Sequence, residues 1–448
     1  MTNTEALDQS TKRTLGIVFL TLFLDLVGFS IIFPMFPALL KHYLELDPEN
    51  FFLRLILNSV TMLLSFSETA PAAAPIVLFG GALGALYSFL QFLCAPLWGA
   101  LSDRFGRKPI LLVSISGLAL SYLLWFFSGS FTLLVIARLV GGIMGGNISV
   151  ATAVVADVTT RQTRSKGMAI VGIAFALGFV IGPALGGLLT LVDLTALFPA
   201  SAAFGVNPFS LPALLAFLLS SLNLYLLAKR FQETLPKEER RSNASFRSCN
   251  PFILFRPLAH PGVNLTTFGY FVFISAFSGM EFTLTFLAVE HFHFSPLENG
   301  YMFIFIGLVL AGVQGGVVRR YANKVGERRM ALLGTLIVIP GLAVVGSSGS
   351  IAMLYTGLLL MSVGSALVIP CLTALISLYT PTREQGKALG IFRSQGALGR
   401  VLGPITASIM YWRFGASSPY FVGSLLMLIP ILAITRLPAP HAEPLPKI

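Results

Sequence analysis

Charge is what this sequence has least of. Asp, Glu, Lys and Arg make up 11% of its 448 residues, where a water-soluble domain carries roughly 25%. So few charges cannot clothe a water-facing surface, and a soluble enzyme is excluded. Cysteine is nearly absent too. Cys94, Cys249 and Cys371 are the three, too few and too dispersed for a disulfide framework. The sequence shows no cluster with metal-ligand spacing, no nucleophile–base constellation and no phosphate-binding glycine loop. No metal, cofactor or catalytic residue is therefore expected. Without an ATP-binding motif, any concentrative work has to draw on an ion gradient.

What is abundant is apolar sequence, 55% of the chain. It comes in twelve long blocks, near residues 14–41, 76–98, 110–129, 131–156, 167–191, 210–228, 264–289, 299–318, 330–348, 351–378, 388–411 and 417–435. A spanning helix needs about 20 such residues. The chain thus reads as an all-α membrane protein of twelve transmembrane helices, with no room for a large soluble domain. The first block is too long for a signal-peptide core. Its Pro34 and Pro37 suit a kinked spanning helix.

The net charge of +11 is unevenly spread. Of the 30 Lys and Arg, 24 fall on one side of the blocks, and only Lys41, Arg54 and Arg413 on the other. This is the positive-inside pattern, and it puts both termini in the cytoplasm of a plasma or inner membrane. It also removes the reason to invoke nucleic acid. The lipid bilayer is the partner this asymmetry implies.

The longest charged stretch, residues 229–261, separates the sixth block from the seventh. It reads as a linker between two six-helix bundles, residues 1–228 and 262–448. The halves echo each other. Gly182-Pro183 and Gly403-Pro404 are 221 residues apart, and Gly106 and Gly326 are 220 apart. Two landmarks at nearly one offset imply an internal duplication with pseudo-symmetric bundles. Transporters are commonly built this way, with a substrate site near the bilayer midplane.

After the second block stands Gly99-Ala-Leu-Ser-Asp103-Arg104-Phe-Gly106-Arg107-Lys108. It resembles the loop signature of the major facilitator superfamily. The fifth block carries Gly178-x-x-x-Gly182-Pro183-x-x-Gly186-Gly187, which is similar to that superfamily's antiporter signature. Leu24-Asp25-Leu-Val-Gly28 in the first block, and Arg138-Leu-Val-Gly-Gly142 with Gly145-Gly146 in the fourth, resemble its tetracycline/proton antiporter group. The resemblance covers nearly the whole chain. It implies the major facilitator fold and efflux or exchange of amphiphilic organic ions, either organic anions or drugs.

Several chemical roles follow at these motifs. Gly99 is expected to let a helix end approach its neighbour closely. Asp103 is expected near the positive end of a helix in the other half, and Arg107 paired with a carboxylate across the interface. Gly99, Asp103, Arg104, Gly106, Arg107 and Lys108 together would form a cytoplasmic latch. The bland alternative is a basic anchor loop. In the fifth block the glycines form a smooth packing face, with or without a bearing on transport direction.

Five charges fall within the blocks: Asp25, Arg138, Glu281, Arg393 and Arg400. A charge at mid-bilayer costs roughly 2.5–3.5 kcal/mol on insertion scales, so those present usually pair or serve a pathway. At about 1.5 Å per residue, Asp25 lies roughly 16 Å and Arg138 roughly 20 Å from the cytoplasmic side. An ion pair between them is expected. Glu281 and Arg400 form a second expected pair, and Arg393 shares a helical face with Arg400. Arginine keeps its proton, whereas a carboxylate can take one up. Three arginines against two carboxylates favour an anionic substrate group, with Glu281 or Asp25 carrying the proton. The alternative is that all five hold helices in register. Gln91, Asn147, Asn223 and Gln314 are further polar groups within the blocks, able to touch substrate or a neighbouring helix.

The leading expectation is a monomeric secondary antiporter exchanging a small amphiphile for protons. A symporter or facilitator importing a metabolite is the alternative. A transporter-like receptor or scaffold is disfavoured, because it needs neither the duplication nor the in-membrane charges.

Overall fold

A computed structural model describes residues 9–55, 58, 74–159, 164–237, 240, 260–380 and 385–438. Among them the regular structure is helical. Cys249 and most of the expected linker, 238–239 and 241–259, lie outside the described residues.

Among the described residues twelve long helices carry the fold. They are α1 (Gln9–Leu46), α2 (Ala74–Phe105), α3 (Arg107–Phe126), α4 (Phe131–Val158), α5 (Arg164–Leu189) and α6 (Ser210–Arg230). The second set is α7 (Pro261–Phe292), α8 (Pro296–Ala322), α9 (Glu327–Gly346), α10 (Ile351–Tyr379), α11 (Gln385–Phe414) and α12 (Ser418–Thr435). Eleven spans among the described residues are long and apolar enough to cross a membrane. The remaining helix is α11. Its 30 residues are ample in length, but Lys387, Arg393, Arg400 and Arg413 dilute its apolar character. Large apolar side chains stay exposed along many helices, including Leu120, Tyr225, Leu333 and Leu425. Water would penalise such faces; a hydrocarbon surround does not.

By compactness the chain falls into two units. One comprises residues 1–251, 279–308 and 404–419; the other comprises 252–278, 309–403 and 420–448. This grouping cuts across the boundary that the sequence repeat suggests, because α7, α8 and α11 each contribute to both units.

In the first unit the helices bend where the backbone must. Pro34 and Pro37 remove two donors from α1, and a 3-10 turn at Phe33–Met35 absorbs the break. α4 breaks into a second 3-10 turn at Gly145–Asn147. Side chains of α2 satisfy carbonyls around it: Gln91 donates to Gly145 (2.8 Å) and the Trp98 indole to Ile143 (2.6 Å). Such borrowed bonds make a broken helix tolerable in lipid. Near the far ends of α1, α3 and α6, Tyr43 bonds to the Ser128 hydroxyl (2.8 Å), and Asn207 donates to the Ser128 carbonyl (3.0 Å). In the second unit α9 and α10 meet through glycines. A Cβ on Gly334 would lie 2.6 Å from the Gly364 carbonyl oxygen, and one on Gly341 would lie 2.6 Å from the Met361 nitrogen.

The duplication recurs in atomic detail. Gly106 and Gly326 both hold positive φ, 104° and 90°, immediately before α3 and α9. Ser130 caps the N-terminus of α4, and Ser350, 220 residues on, caps that of α10. Lys108 donates to the Ala228 carbonyl near the end of α6. Its counterpart Arg328 donates to the Ile434 and Thr435 carbonyls at the end of α12.

Candidate functional site

The centre of the first bundle is built around Asp25 of α1. The Asn147 amide donates to its Oδ2 at 2.7 Å, and the Asn223 amide of α6 donates to its Oδ1 at 3.0 Å. The break in α4 places Asn147 for this contact, since Asn147 closes the 3-10 turn. Of the polar residues noted in the sequence, two therefore hold the carboxylate and Gln91 secures the turn. Gln314 begins a π-helical stretch, Gln314–Val318, within α8.

The expected Asp25–Arg138 ion pair does not form. Arg138 is only 6% exposed. Its guanidinium carbon lies 4.6 Å from the centroid of the Trp125 ring of α3, a cation–π contact. Its Nε and Nη2 have no hydrogen-bond partner in the structure. The depth estimate put both residues at similar heights, but height does not fix the direction in which each side chain faces. Asp25 faces α4 and α6, and Arg138 faces α3. Glu281 belongs to the first compact unit, and Arg393 and Arg400 to the second. Arg393 lies within electrostatic reach of Tyr270 and Arg400, and Tyr270 stacks on Phe392 at 3.9 Å.

Of the residues expected to form a latch, Asp103 and Arg107 join a charge cluster with Asp157 of α4. Arg107, also 6% exposed, pairs through Nη1 with Asp103 (2.6 Å) and through Nε with Asp157 at the end of α4 (3.0 Å). Nη1 also donates to the Ser102 hydroxyl at 2.6 Å. Both carboxylates belong to the same six-helix set as Arg107, so the expected partner across the interface is corrected. Asp103 turns to Arg107 four residues on, and α4 ends beside them. Arg104 lies over the neighbouring Phe105 ring at 5.1 Å. Gly99 is not a point of close approach, since a Cβ there would meet only the Ser149 hydroxyl at 3.9 Å.

Sequence reasoning missed Glu233, just beyond α6. Its carboxylate accepts from the backbone N–H groups of Arg107 (2.8 Å) and Lys108 (3.2 Å). It thus caps α3 from 126 residues away. Thr234 beside it donates to Asp157 at 3.1 Å. The only signal was the Glu itself, three residues past a basic helix end.

On α5 the motif glycines face neighbouring backbone. A Cβ on Gly178 would lie 2.5 Å from the Leu26 side chain, and one on Gly186 would collide with the Ile31 carbonyl. Ser30 of α1 bonds back to the Gly178 carbonyl at 3.1 Å. Gly187 packs on Gly300 of α8, with 2.7 Å from a built Cβ to the Gly300 Cα. Gly178, Gly182, Pro183, Gly186 and Gly187 thus lie along a packing seam.

Comparison with known proteins agrees with this architecture. Major facilitator superfamily domain-containing protein 10 of Mus musculus is 36% identical over 456 residues, covering 96% of this chain and 94% of the relative. The class C tetracycline resistance protein of Escherichia coli is 26% identical, covering 95% and 97%. The crystal structure of the human organic anion transporter MFSD10 (TETRAN) superposes with a TM-score of 0.77 at 34% identity, covering 95% of this chain and 99% of that one. A bacterial homologue of the human lysosomal transporter Spinster, inward-facing and unoccupied, shares the fold with a TM-score of 0.63 at 14% identity, covering 96% and 95%. The Major Facilitator Superfamily model matches residues 18–325 and 315–448. With its helical repeat and these matches over nearly its full length, the chain is a multi-pass membrane transporter, not an enzyme, and it belongs to the Major Facilitator Superfamily.

Proposed function

We propose that this transporter is a proton-coupled antiporter that moves amphiphilic organic ions, organic anions or drugs, by alternating access. The moving parts in this reading are the halves 1–228 and 262–448, joined by the linker 229–261. Both termini face the cytoplasm of a plasma or inner membrane, and the working unit is a monomer. The observation that carries the reading is the surroundings of Asp25. Two neutral amides hold this carboxylate, and Arg138 is not paired to it. A carboxylate locked to a guanidinium is held in its charged form, whereas one held by amides can exchange a proton as its surroundings change. Arg138, Arg393 and Arg400 keep their charge and supply attraction for an anionic group. The similarity to a tetracycline resistance protein and to a human organic anion transporter supports this substrate class.

The test is transport in proteoliposomes with an imposed pH gradient. Asp25→Asn cannot carry a proton. The variant is expected to retain substrate exchange at zero gradient and to lose gradient-driven accumulation. Unchanged accumulation would remove Asp25 as the coupling residue. Wild-type substrate affinity separates the mechanisms. Affinity that falls on acidification fits antiport. Affinity that rises fits a symporter in which a protonated Glu281 releases Arg400 for the anion.

A further inference from the structure

The first compact unit contains a cavity of about 350 Å³ on the Lys/Arg-poor face, within the roughly 300–1,000 Å³ range of small-molecule sites. Pro34 and Pro37 of α1 and Phe286 of α7 form its walls, with Phe294 and Pro296 at the α7–α8 turn. Asp25 and Arg138 take no part in it.

Its polar groups are few: Asn299, Glu290 and Lys41. Asn299 of α8 is 1% exposed. Its amide nitrogen donates to the Pro34 carbonyl at 3.2 Å, while its Oδ1 is buried without a hydrogen-bond partner. A buried acceptor left in this way is costly unless something donates to it. Glu290 of α7 accepts from the Tyr411 hydroxyl at 2.5 Å, which leaves its carboxylate with further acceptor capacity. Lys41, on the rim, pairs with Glu45 at 3.8 Å and is 69% exposed at the side chain. Its ammonium is thus directed to solvent. The cavity offers an apolar body site, the buried Asn299 amide oxygen and, at its exposed mouth, the Glu290 carboxylate.

We propose that this cavity is a binding site for a hydrophobic primary ammonium ion. The apolar part would lie between the prolines and Phe286, and the N–H groups would satisfy Glu290 and the Asn299 Oδ1. Acceptors of this kind discriminate by charge as well as by hydrogen bonding. The site joins the second half of α1 to the α7–α8 turn. On the alternating-access reading above, on which this step rests, these elements must part when this face opens. An occupant bridging them holds the face closed and so inhibits transport from that side.

Calorimetric titration of the full chain in nanodiscs tests the site with three probes sharing one apolar body: 4-phenylbutylammonium, 4-phenylbutyrate and 4-phenylbutan-1-ol. The ammonium is expected to bind at least about tenfold more tightly than the other two. Glu290→Gln, which can still accept from Tyr411, is expected to erase that preference. Ala38→Phe, which fills the cavity from α1, is expected to abolish binding. Equal affinity for the three probes, preference for the carboxylate, or full binding to Ala38→Phe would overturn the site. Inhibition is measured separately in proteoliposomes. Ammonium binding that leaves transport unaltered would overturn the hold on the gate, while the site itself would stand. Absence of pH-driven transport in untreated wild type would instead count against the proton-coupled reading.

Discussion

The loops before α3 and α9 are built on one plan and stabilised by different means. Each turns on a glycine of positive φ, Gly106 or Gly326. Each also sends a basic side chain to the end of the last helix of its own half. They diverge at the next position. α9 begins with Glu327, whose negative charge suits the positive end of a helix. α3 begins with Arg107 and Lys108 and has no acid in its first turn. It borrows one: Glu233 reaches in from beyond α6. Arg107, displaced from the role of cap, becomes the hub for Asp103 and Asp157. The shared parts serve the fold that both halves need. The unshared parts tie α3 and the end of α4 to the chain just past α6.

The sharpest way to break this comparison is Arg107→Ala. Removing one partner of a buried ion pair typically costs about 3–5 kcal/mol. Asp103 is 41% exposed and can turn to water, so the lower end is expected. Thermal unfolding of the purified protein should show a large fall in Tm, with Glu327→Ala barely moving it. A small effect would mean that the cluster is solvated.

The glycines come next. Alanine at either position is forced into a conformation that costs on the order of 1–3 kcal/mol. At Gly326 a Cβ meets nothing within 4 Å, whereas at Gly106 it collides with the Glu233 carboxylate. Gly106→Ala should therefore destabilise more than Gly326→Ala. Adding Glu233→Ala should narrow the gap. Equal effects would show that Glu233 is not held at this loop.

The smallest effects separate the two caps. Glu233→Ala should cost about 1 kcal/mol, as the loss of a capping side chain does. Glu327→Ala should cost only about 0.3–1 kcal/mol, since it removes a favourable charge from a helix end and no cap hydrogen bond. Hydrogen exchange at the Arg107 and Lys108 amides should rise in Glu233→Ala and remain unchanged in Glu327→Ala.

The helices were legible in the sequence because burial in lipid demands length and apolarity, both linear properties. α11 was the hardest to see by hydropathy, since it carries four basic residues; its place in the repeat reveals it. The bend at Pro34 and Pro37 was legible because proline acts locally. Side-chain partnerships were legible only where spacing sets them, as for Asp103 and Arg107, four residues apart. Arg107 with Asp157 and Asp25 with Asn223 are separated by 50 and 198 residues, and hydropathy does not encode which helix faces which. The Asp25–Arg138 expectation failed for this reason. Depth is one coordinate of three, and the break at Gly145–Asn147 sets the other two for Asn147.

The Glu233 contact also bears on how the halves are tethered. Glu233 is bonded to α3, and Arg240 is paired back to Glu233 at 3.6 Å. The chain that leaves α6 is thereby fastened to the bundle it leaves. Twenty residues of sequence separate Arg240 from His260, a length whose greatest possible reach is about 70 Å. A pull on the chain beyond Arg240 would fall first on the Glu233 bonds and only afterwards on the end of α6, much as a clamp at the collar of a cable spares the joint inside.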